Sequence, residues 1–147
     1  MPADLDLVRR LAAADNSAVL ATTRPDGTVH ASVVSAGVLD HPVTGAPCVG
    51  LVALGGARKL AHLRRSGRAA VVFRSGWEWV AVEGPVELIG PADAREGFAP
   101  ADVPGLLRDV FRAAGGTHDD WAEYDRVMAE EGRTAVLVEP ARITTNR

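Results

Sequence analysis

The alternation of apolar and polar positions predicts a chain built mainly of strands. Two such segments, residues 17–23 (SAVLATT) and 28–39 (TVHASVVSAGVL), flank the turn sequence RPDG and predict a β-hairpin. Residues 48–54 (CVGLVAL) form a nearly continuous apolar run, which is typical of a strand covered on both faces. Three later segments are also predicted to be strands: 68–74, 77–90 and 134–140.

Apolar residues at helical spacing predict four helices. The first begins near Leu5 and ends at Asn16, and the second occupies residues 57–67 (ARKLAHLRRSG) after a pair of glycines. The third is predicted at 103–114 and the fourth at 119–131. For the fourth, Thr117 and Asp120 fit a capping box, and the buried stripe is predicted to contain Trp121, Tyr124 and Met128.

The order of these elements predicts a small antiparallel barrel. One helix crosses between the third and fourth strands, which argues against a doubly wound sheet. Gly84 and Pro85 lie in the middle of the long strand 77–90 and imply a bend that lets the sheet curl. A chain of 147 residues that is 47% hydrophobic fits one domain, so we predict a single α+β, mainly β barrel over residues 1–147 with helices outside.

The composition indicates where the protein is located and how its cysteine behaves. Acids and arginines interrupt the apolar residues of the N-terminal segment, so we expect neither a secretory signal nor a membrane span, and we predict a cytoplasmic protein. Cys48 is the single cysteine, and its apolar neighbours favour a buried structural thiol over a nucleophile.

One part of the chain is locally basic although the net charge is −3. None of the 19 acidic residues lies within residues 41–77, which include the only lysine. The basic residues of this window are Arg58, Lys59, Arg64, Arg65, Arg68 and Arg74. Net acidity and the lack of interleaved aromatic residues argue against a nucleic-acid partner.

The start of the second helix is a candidate anion site. Two glycines lead from a strand into the helix, whose first backbone N–H groups and dipole favour negative charge. Lys59 offers a mobile ammonium, and Arg58 offers a planar fork suited to phosphate oxygens. Since no acidic residue is near them in the sequence, we interpret these two as anion ligands. The arginines that follow are equally well explained as a solvated helix surface.

Several familiar motifs for enzymatic chemistry are absent. No GxGxxG follows a strand, and neither GxxxxGK[ST] nor GxSxG occurs. The four histidines stand at no metal-ligand spacing with Cys48, and the acids of residues 93–131 fit solvated helix faces. We therefore expect no metal site and no catalytic side chain.

Trp77 and Trp79 lie two positions apart, so a strand places both on one face and Glu78 on the other. Such a pair belongs either to a core or to the wall of a planar ligand's site. Composition favours the core.

Four segments in combination resemble a known family: ATTRPDGTVHASVV, KLAHLRRSGRAAVVF, WEWVAVEGPVEL and GGTHDDWAEYDRVM. They resemble the pyridoxamine-phosphate-oxidase-like split barrels, and most of all the short branch that uses the deazaflavin coenzyme F420 instead of FMN. The resemblance implies an FMN-binding-type split β-barrel and a homodimer with two equivalent sites at the subunit interface. It also implies hydride transfer between F420 and an unsaturated or conjugated small-molecule substrate, with the cofactor supplying the chemistry.

The resemblance further implies where the cofactor lies. Arg58 and Lys59 would hold its phosphate, and Arg64 or Arg65 would accompany its glutamate tail. The tryptophan pair matches the region that reaches the partner's pocket. The residues implied beside the ring are Ser32, Val33, Val34, Leu51 and Ala53.

Two alternatives stay open. One is an FMN-binding flavoprotein on the same barrel, and the other is a non-catalytic protein that binds a cofactor or tetrapyrrole. Val33 and Val34 are apolar where FMN-using relatives often place polar contacts, which favours the deazaflavin. The chain stops at ARITTNR without the aromatic and arginine tail of true pyridoxamine-phosphate oxidases, so vitamin B6 oxidation is not expected.

Overall fold

The computed structural model describes residues 5–147, which form a barrel with helices packed around it. The helices are α1 (Leu5–Ala14), α2 (Arg58–Ser66), α3 (Val103–Ala113) and α4 (Trp121–Glu130), with a 3₁₀ turn at Pro100–Asp102. The strands are β1 (Ser17–Thr23), β2 (Val29–Asp40), β3 (Pro47–Ala53), β4 (Arg68–Ser75), β5 (Glu78–Ile89), β6 (Thr134–Val138) and β7 (Arg142–Thr145). In this part of the chain, no helix has the length and apolar character needed to span a bilayer.

Six strands close the barrel in the order β1, β2, β3, β6, β5 and β4, and every pairing is antiparallel. The two longest strands change partners along their length. Residues 29–35 of β2 pair with β1 and residues 36–40 pair with β3. Residues 78–85 of β5 pair with β4 and residues 86–89 pair with β6. These two changes divide the barrel into two sheets, so the predicted split β-barrel is confirmed.

Glycines stand where the long strands change partners. A Cβ atom at Gly84 would lie 1.9 Å from the carbonyl oxygen of Glu139, and one at Gly37 would lie 1.9 Å from that of Ala113. Backbone therefore packs directly against each glycine, which no larger residue allows. The bend predicted at Gly84 and Pro85 lies at the point where β5 leaves β4 for β6.

We expect Gly84→Ala to destabilise the fold by about 1–3 kcal/mol, because the new methyl group collides with a backbone carbonyl. The matched control is Gly105→Ala in α3, where an added Cβ meets nothing within 4 Å and alanine is the better helix former. Urea unfolding of both variants measures the difference. Equal stability of Gly84→Ala and the wild type would show that the strand does not need this glycine.

Two apolar clusters hold the fold together. Inside the barrel, Leu20, Leu51, Phe73 and Val80 are fully buried among neighbours from α1 and α2. A second cluster lies between the outer face of β3, β5 and β6 and the helices α3 and α4. It contains Ile89, Leu107, Val110, Tyr124 and Leu137. The second cluster fixes α3 and α4 beside the end of β3.

Two details of the sequence prediction are wrong. The last strand was expected at residues 134–140, but β6 ends at Val138, and β7 then pairs with β5. The cap of α4 is Asp120, whose carboxylate accepts a hydrogen bond from the Glu123 backbone N–H at 3.1 Å, and not Thr117. In both cases a short polar segment has several local options, and tertiary packing selects one.

Candidate functional site

An open cleft of about 560 Å³ lies where β2 and β3 meet the start of α2. Val33, Val34 and Ser35 of β2 form one wall together with Val52, Ala53 and Leu54 at the end of β3. The opposite wall comes from the helices α3 and α4 and includes Phe111, Tyr124 and Met128. Two cations, Lys59 and Arg133, complete the lining. The cleft is therefore mostly apolar, with positive charge on one side.

The glycine pair before α2 positions the helix against the far wall of the cleft. The Gly55 N–H donates to the carbonyl oxygen of Glu131 at 3.1 Å, and a Cβ at Gly55 would lie 2.5 Å from the carbonyl oxygen of Gly132. Gly56 has a φ of +82°, a conformation that favours glycine. No side chain caps the helix that follows. The turn thus brings Lys59 and Arg133 to the same cleft, beside an uncapped helix N-terminus.

Lys59 has an unfavourable environment for a charge. Its side chain is half-buried, and within residues 5–147 no carboxylate pairs with it. Partial burial, followed by the nearby charge of Arg133, lowers the pKa of Lys59. A bound anion would stabilise the charged form of an ammonium that is partly desolvated and lies beside another cation. Lys59 is therefore a candidate ligand for a negatively charged group.

Arg58 and Lys59 point in different directions, although they are adjacent. Lys59 lines the cleft, whereas Arg58 is exposed, and its charge acts on His62 one turn further along α2. Within residues 5–147, Arg58 also forms no ion pair with a carboxylate. That both hold one phosphate stays a prediction.

The other predicted site residues separate into two groups. Val33, Val34 and Ala53 line the cleft, and Ser32 is the next inward-facing residue of β2 after Val34. Leu51 is fully buried in the barrel core, so its side chain does not reach the cleft.

Arg64 is held in an ion pair that the sequence prediction did not contain. Its guanidinium donates two hydrogen bonds to Asp93, at 2.9 and 2.7 Å. Arg64 is exposed on the surface of α2, where it pairs with Asp93. A contact with a cofactor tail, which stays a prediction, would have to compete with a bidentate carboxylate.

The tryptophans do not belong to the core. Trp77 lies in the turn before β5 and is 93% exposed. Trp79 is half-buried, and its alternation with the buried Val80 places it on the outer face of the barrel. The interpretation of the pair as core residues is wrong because the turn carries Trp77 away from the packed interior.

The outer face of the barrel next to the cleft is apolar. Val19 stands between Val33 and Val72 in the sheet, and the next outward row consists of Ala31, Ala21 and Ala70. Val19 is 40% exposed and Val33 is 72% exposed. Val33 belongs both to this face and to the cleft, so whatever covers the face also borders the cleft.

The far wall of the cleft was missed at the sequence level. Tyr124 and Met128 were predicted to lie on the buried stripe of α4, and both pack in the second cluster together with Phe111 of α3. The same residues also border the cleft because α3 and α4 end beside β3. Helical periodicity identifies such a stripe but does not distinguish a core from a cleft wall.

The only cysteine has no part in this site. Cys48 is buried, as predicted, and burial raises the pKa of its thiol to about 12. The thiolate is therefore scarce at neutral pH. Residues 5–147 also contain no group of three potential metal ligands close enough to hold an ion.

A second, smaller cavity of about 270 Å³ lies between the loop after β5 and the helices α3 and α4. Its lining is apolar apart from Asp93, Arg95, Asp125 and Arg133. Each of these four is already in an ion pair. The larger cleft is the better candidate because Lys59 leaves it with an uncompensated charge.

Comparison with known proteins gives a family and a fold. The sequence profile described as "PNPOx_N: Pyridoxamine 5'-phosphate oxidase" matches residues 5–146. No curated protein matches the chain by sequence.

This chain shares its fold with solved structures of proteins that are described by different ligands. A protein described as "F420 Reductase" is 15% identical, with a TM-score of 0.63, and the match covers 98% of each chain. A pyridoxamine 5'-phosphate oxidase-related FMN binding protein from Nostoc punctiforme is 15% identical at a TM-score of 0.64, covering 96% of this chain and 79% of that one. A heme binding protein from Mycobacterium smegmatis is 19% identical at 0.62, covering 99% and 58%. At these identities the likeness establishes the fold alone.

Proposed function

The chain belongs to the pyridoxamine 5'-phosphate oxidase family, and from this premise we propose that it is an F420-dependent oxidoreductase. Its reaction would be hydride transfer between the deazaflavin and an unsaturated or conjugated organic molecule. The observation that carries the proposal is the half-buried, unpaired Lys59 at one side of an apolar cleft. A planar ring with an anionic side chain matches both features.

The cleft fits such a cofactor in size and chemistry. Its volume of about 560 Å³ lies within the usual range of small-molecule sites. Val34 and Ala53 offer small apolar side chains on one side, and Phe111 and Met128 offer apolar contacts on the other. Lys59, beside the uncapped start of α2, is placed to neutralise a phosphate.

The residues of the cleft would position the cofactor and shield it from water, and they would not exchange protons with it. The lining contains no aspartate, glutamate, histidine or cysteine. The Tyr124 hydroxyl donates to the carbonyl oxygen of Leu107 at 3.0 Å, and burial raises the pKa of Tyr124, so it is a poor acid. When bound, the deazaflavin would supply the hydride chemistry. The apolar walls would exclude water, and the proton would come from solvent or cofactor.

We also propose that the protein is a homodimer whose partner covers the outer apolar face. The valine row Val33, Val19 and Val72 is continuous with the cleft, so a partner seated there would border the cofactor. Trp77, almost fully exposed, is a residue type enriched in protein interfaces. A second copy of the chain is the occupant that the family resemblance implies.

The test is a titration of the purified full chain with F420, FMN and hemin in separate experiments. We expect F420 fluorescence to be quenched to saturation at one cofactor per chain, with micromolar or tighter affinity, and FMN to bind more weakly. Reduced F420 should then be oxidised when quinones or other conjugated acceptors are added. Tighter binding of FMN would assign the protein to the flavin users, and binding of hemin alone would replace the proposal with a tetrapyrrole carrier.

A further inference from the structure

The smaller cavity, which lies between the loop after β5 and the helices α3 and α4, is lined mostly by apolar side chains. Its volume is about 270 Å³. The larger apolar residues of its wall are Ile89, Phe98, Val103, Leu107 and Met128. Folded proteins contain few voids of this size, because an unfilled apolar cavity destabilises the fold. A cavity that the structure keeps open is therefore a candidate site for a ligand.

The backbone of the loop that covers this cavity is fixed by its own hydrogen bonds. Gly90 and Asp93 exchange two backbone hydrogen bonds, at 3.0 and 3.1 Å, and the Phe98 N–H donates to the carbonyl oxygen of Arg95 at 3.1 Å. Prolines, whose φ angle is fixed, also belong to the wall: Pro91, Pro100 and Pro104. The shape of the loop therefore does not depend on contacts with atoms inside the cavity.

Two ion pairs attach the same loop to the rest of the fold. The Arg64 guanidinium of α2 lies 2.7 Å from the Asp93 carboxylate, and the Arg95 guanidinium lies 2.8 Å from the Glu87 carboxylate of β5. These side chains are partly exposed, so each pair contributes little to stability. The pairs do fix the position of the loop, and they oppose the collapse onto α3 and α4 that would remove the void.

The other charged groups on the wall are paired as well. Asp125 pairs with Arg108, and Arg133 pairs with Glu131. A charged ligand would have to break an ion pair, and an entering water would find few unpaired side chains to bond. The smaller cavity therefore favours a neutral, apolar ligand, whereas the cleft at Lys59 favours an anion.

The volume limits the size of this ligand. An apolar cavity of about 150 Å³ holds one benzene molecule. The volume of about 270 Å³ therefore suits roughly two fused six-membered rings. A deazaflavin has three fused rings and a charged side chain, so the smaller cavity is not a second site for the cofactor.

The smaller cavity and the cleft share part of their walls. Met128 lines both spaces, and so does Arg133. Methionine is unbranched and adapts its conformation to its surroundings. A molecule in the smaller cavity would therefore limit how far the Met128 side chain can move away from the cleft.

We propose that the smaller cavity binds a neutral aromatic or alicyclic molecule of about two fused rings, which contacts Met128 from the side of the cavity. This ligand lies next to the cofactor cleft without occupying it. The site goes beyond the proposed function and does not depend on it.

Two naphthalene derivatives of nearly equal size test the preference for a neutral ligand. 1-Naphthalenemethanol is neutral, and 1-naphthoate is ionised at neutral pH. By isothermal titration calorimetry of the full chain, we expect 1-naphthalenemethanol to bind with a dissociation constant of roughly 10–100 µM, the strength open to about a dozen heavy atoms. An equal concentration of 1-naphthoate should not displace it. Absence of binding, or displacement by 1-naphthoate, would overturn the proposal.

Variants that fill the cavity locate the ligand. Val103→Phe and Ala129→Phe enlarge side chains on the wall from α3 and from α4, so each should abolish binding of 1-naphthalenemethanol. Ala129 is exposed, so its variant tests the site without crowding the core. The matched control is Val127→Phe, at a half-buried position of α4 that lines neither the cavity nor the cleft. Unchanged binding in both filling variants would contradict the assignment.

The methyl NMR signal of Met128 tests the contact beside the cleft. The chain contains two methionines, Met1 and Met128, so Met128→Leu assigns the two signals. We expect 1-naphthalenemethanol to shift the Met128 signal in the wild type but not in Val103→Phe. If this shift occurs and F420 does not bind, the cavity site stands and the proposed function fails. If F420 binds and 1-naphthalenemethanol leaves Met128 unchanged, the proposed function stands and the cavity site fails.

Discussion

Replacing Lys59 with methionine is expected to weaken F420 binding by roughly 10- to 150-fold, which corresponds to the loss of one charged hydrogen bond of about 1.5–3 kcal/mol. The same change is not expected to lower the free energy of unfolding. Lys59 is half-buried near Arg133, and both burial and that charge oppose its protonated form. Methionine fills a similar volume without this cost. Fluorescence titration gives the affinity, and urea unfolding gives the stability.

The control for this prediction is Arg126→Gln, which removes one positive charge from the exposed side of α4. Arg126 pairs with Glu123 and Glu130 and does not line the cleft. Its loss should leave F420 affinity within about twofold, since surface ion pairs contribute little. Unchanged F420 affinity in Lys59→Met would show that Lys59 does not bind the cofactor. A clear loss of stability would show that Lys59 stabilises the fold.

Val19→Asp is expected to convert a dimer into a monomer and to abolish F420 binding, although Val19 does not line the cleft. The side chain lies at the centre of the outer valine row, between Val33 and Val72. In a dimer the new carboxylate would be buried without a partner, which costs several kcal/mol. In a monomer it faces water. Sedimentation equilibrium and cofactor titration measure the two effects.

A matched control exists on another surface. Val43 is 39% exposed, compared with 40% for Val19, and lies in the loop between β2 and β3. Val43→Asp should remain dimeric and bind F420 normally. A wild-type protein that sediments as a monomer at micromolar concentration would contradict the proposed homodimer, and a dimeric Val19→Asp would place the interface elsewhere.

The architecture was predictable because its signals are local. The strand β1 occupies the predicted residues 17–23, since alternation and a strong turn sequence bound it on both sides. The bend at Gly84 was also visible, because glycine followed by proline has few other roles inside a strand. The strand β7 was missed, since four residues of mixed polarity become a strand only by pairing with β5.

The site was predictable only in part. Lys59 stood out because an acid-free window surrounds the only lysine, and that signal lies in one stretch of sequence. The ion pair between Arg64 and Asp93 joins residues 29 positions apart, so no local sequence pattern predicts it. Composition favoured the core for Trp77 because hydrophobicity alone does not show that a turn exposes a residue.

Two histidines, His30 and His62, illustrate a different limit, since their ring centroids lie 5.5 Å apart. Both were considered only as metal ligands and set aside on spacing. Their proximity depends on α2 lying across the ends of β1 and β2, and this arrangement belongs to the tertiary structure and not to any local sequence pattern.

We propose that a phosphate-bearing deazaflavin occupies the cleft between β2, β3 and α2, and a crystal structure of the protein in complex with F420 would show whether it does. We expect the ring between Val34 and Met128, with a phosphate oxygen within hydrogen-bonding distance of the Lys59 ammonium. A ring bound elsewhere, for example in the smaller cavity beside the loop after β5, or a phosphate remote from Lys59, would contradict it.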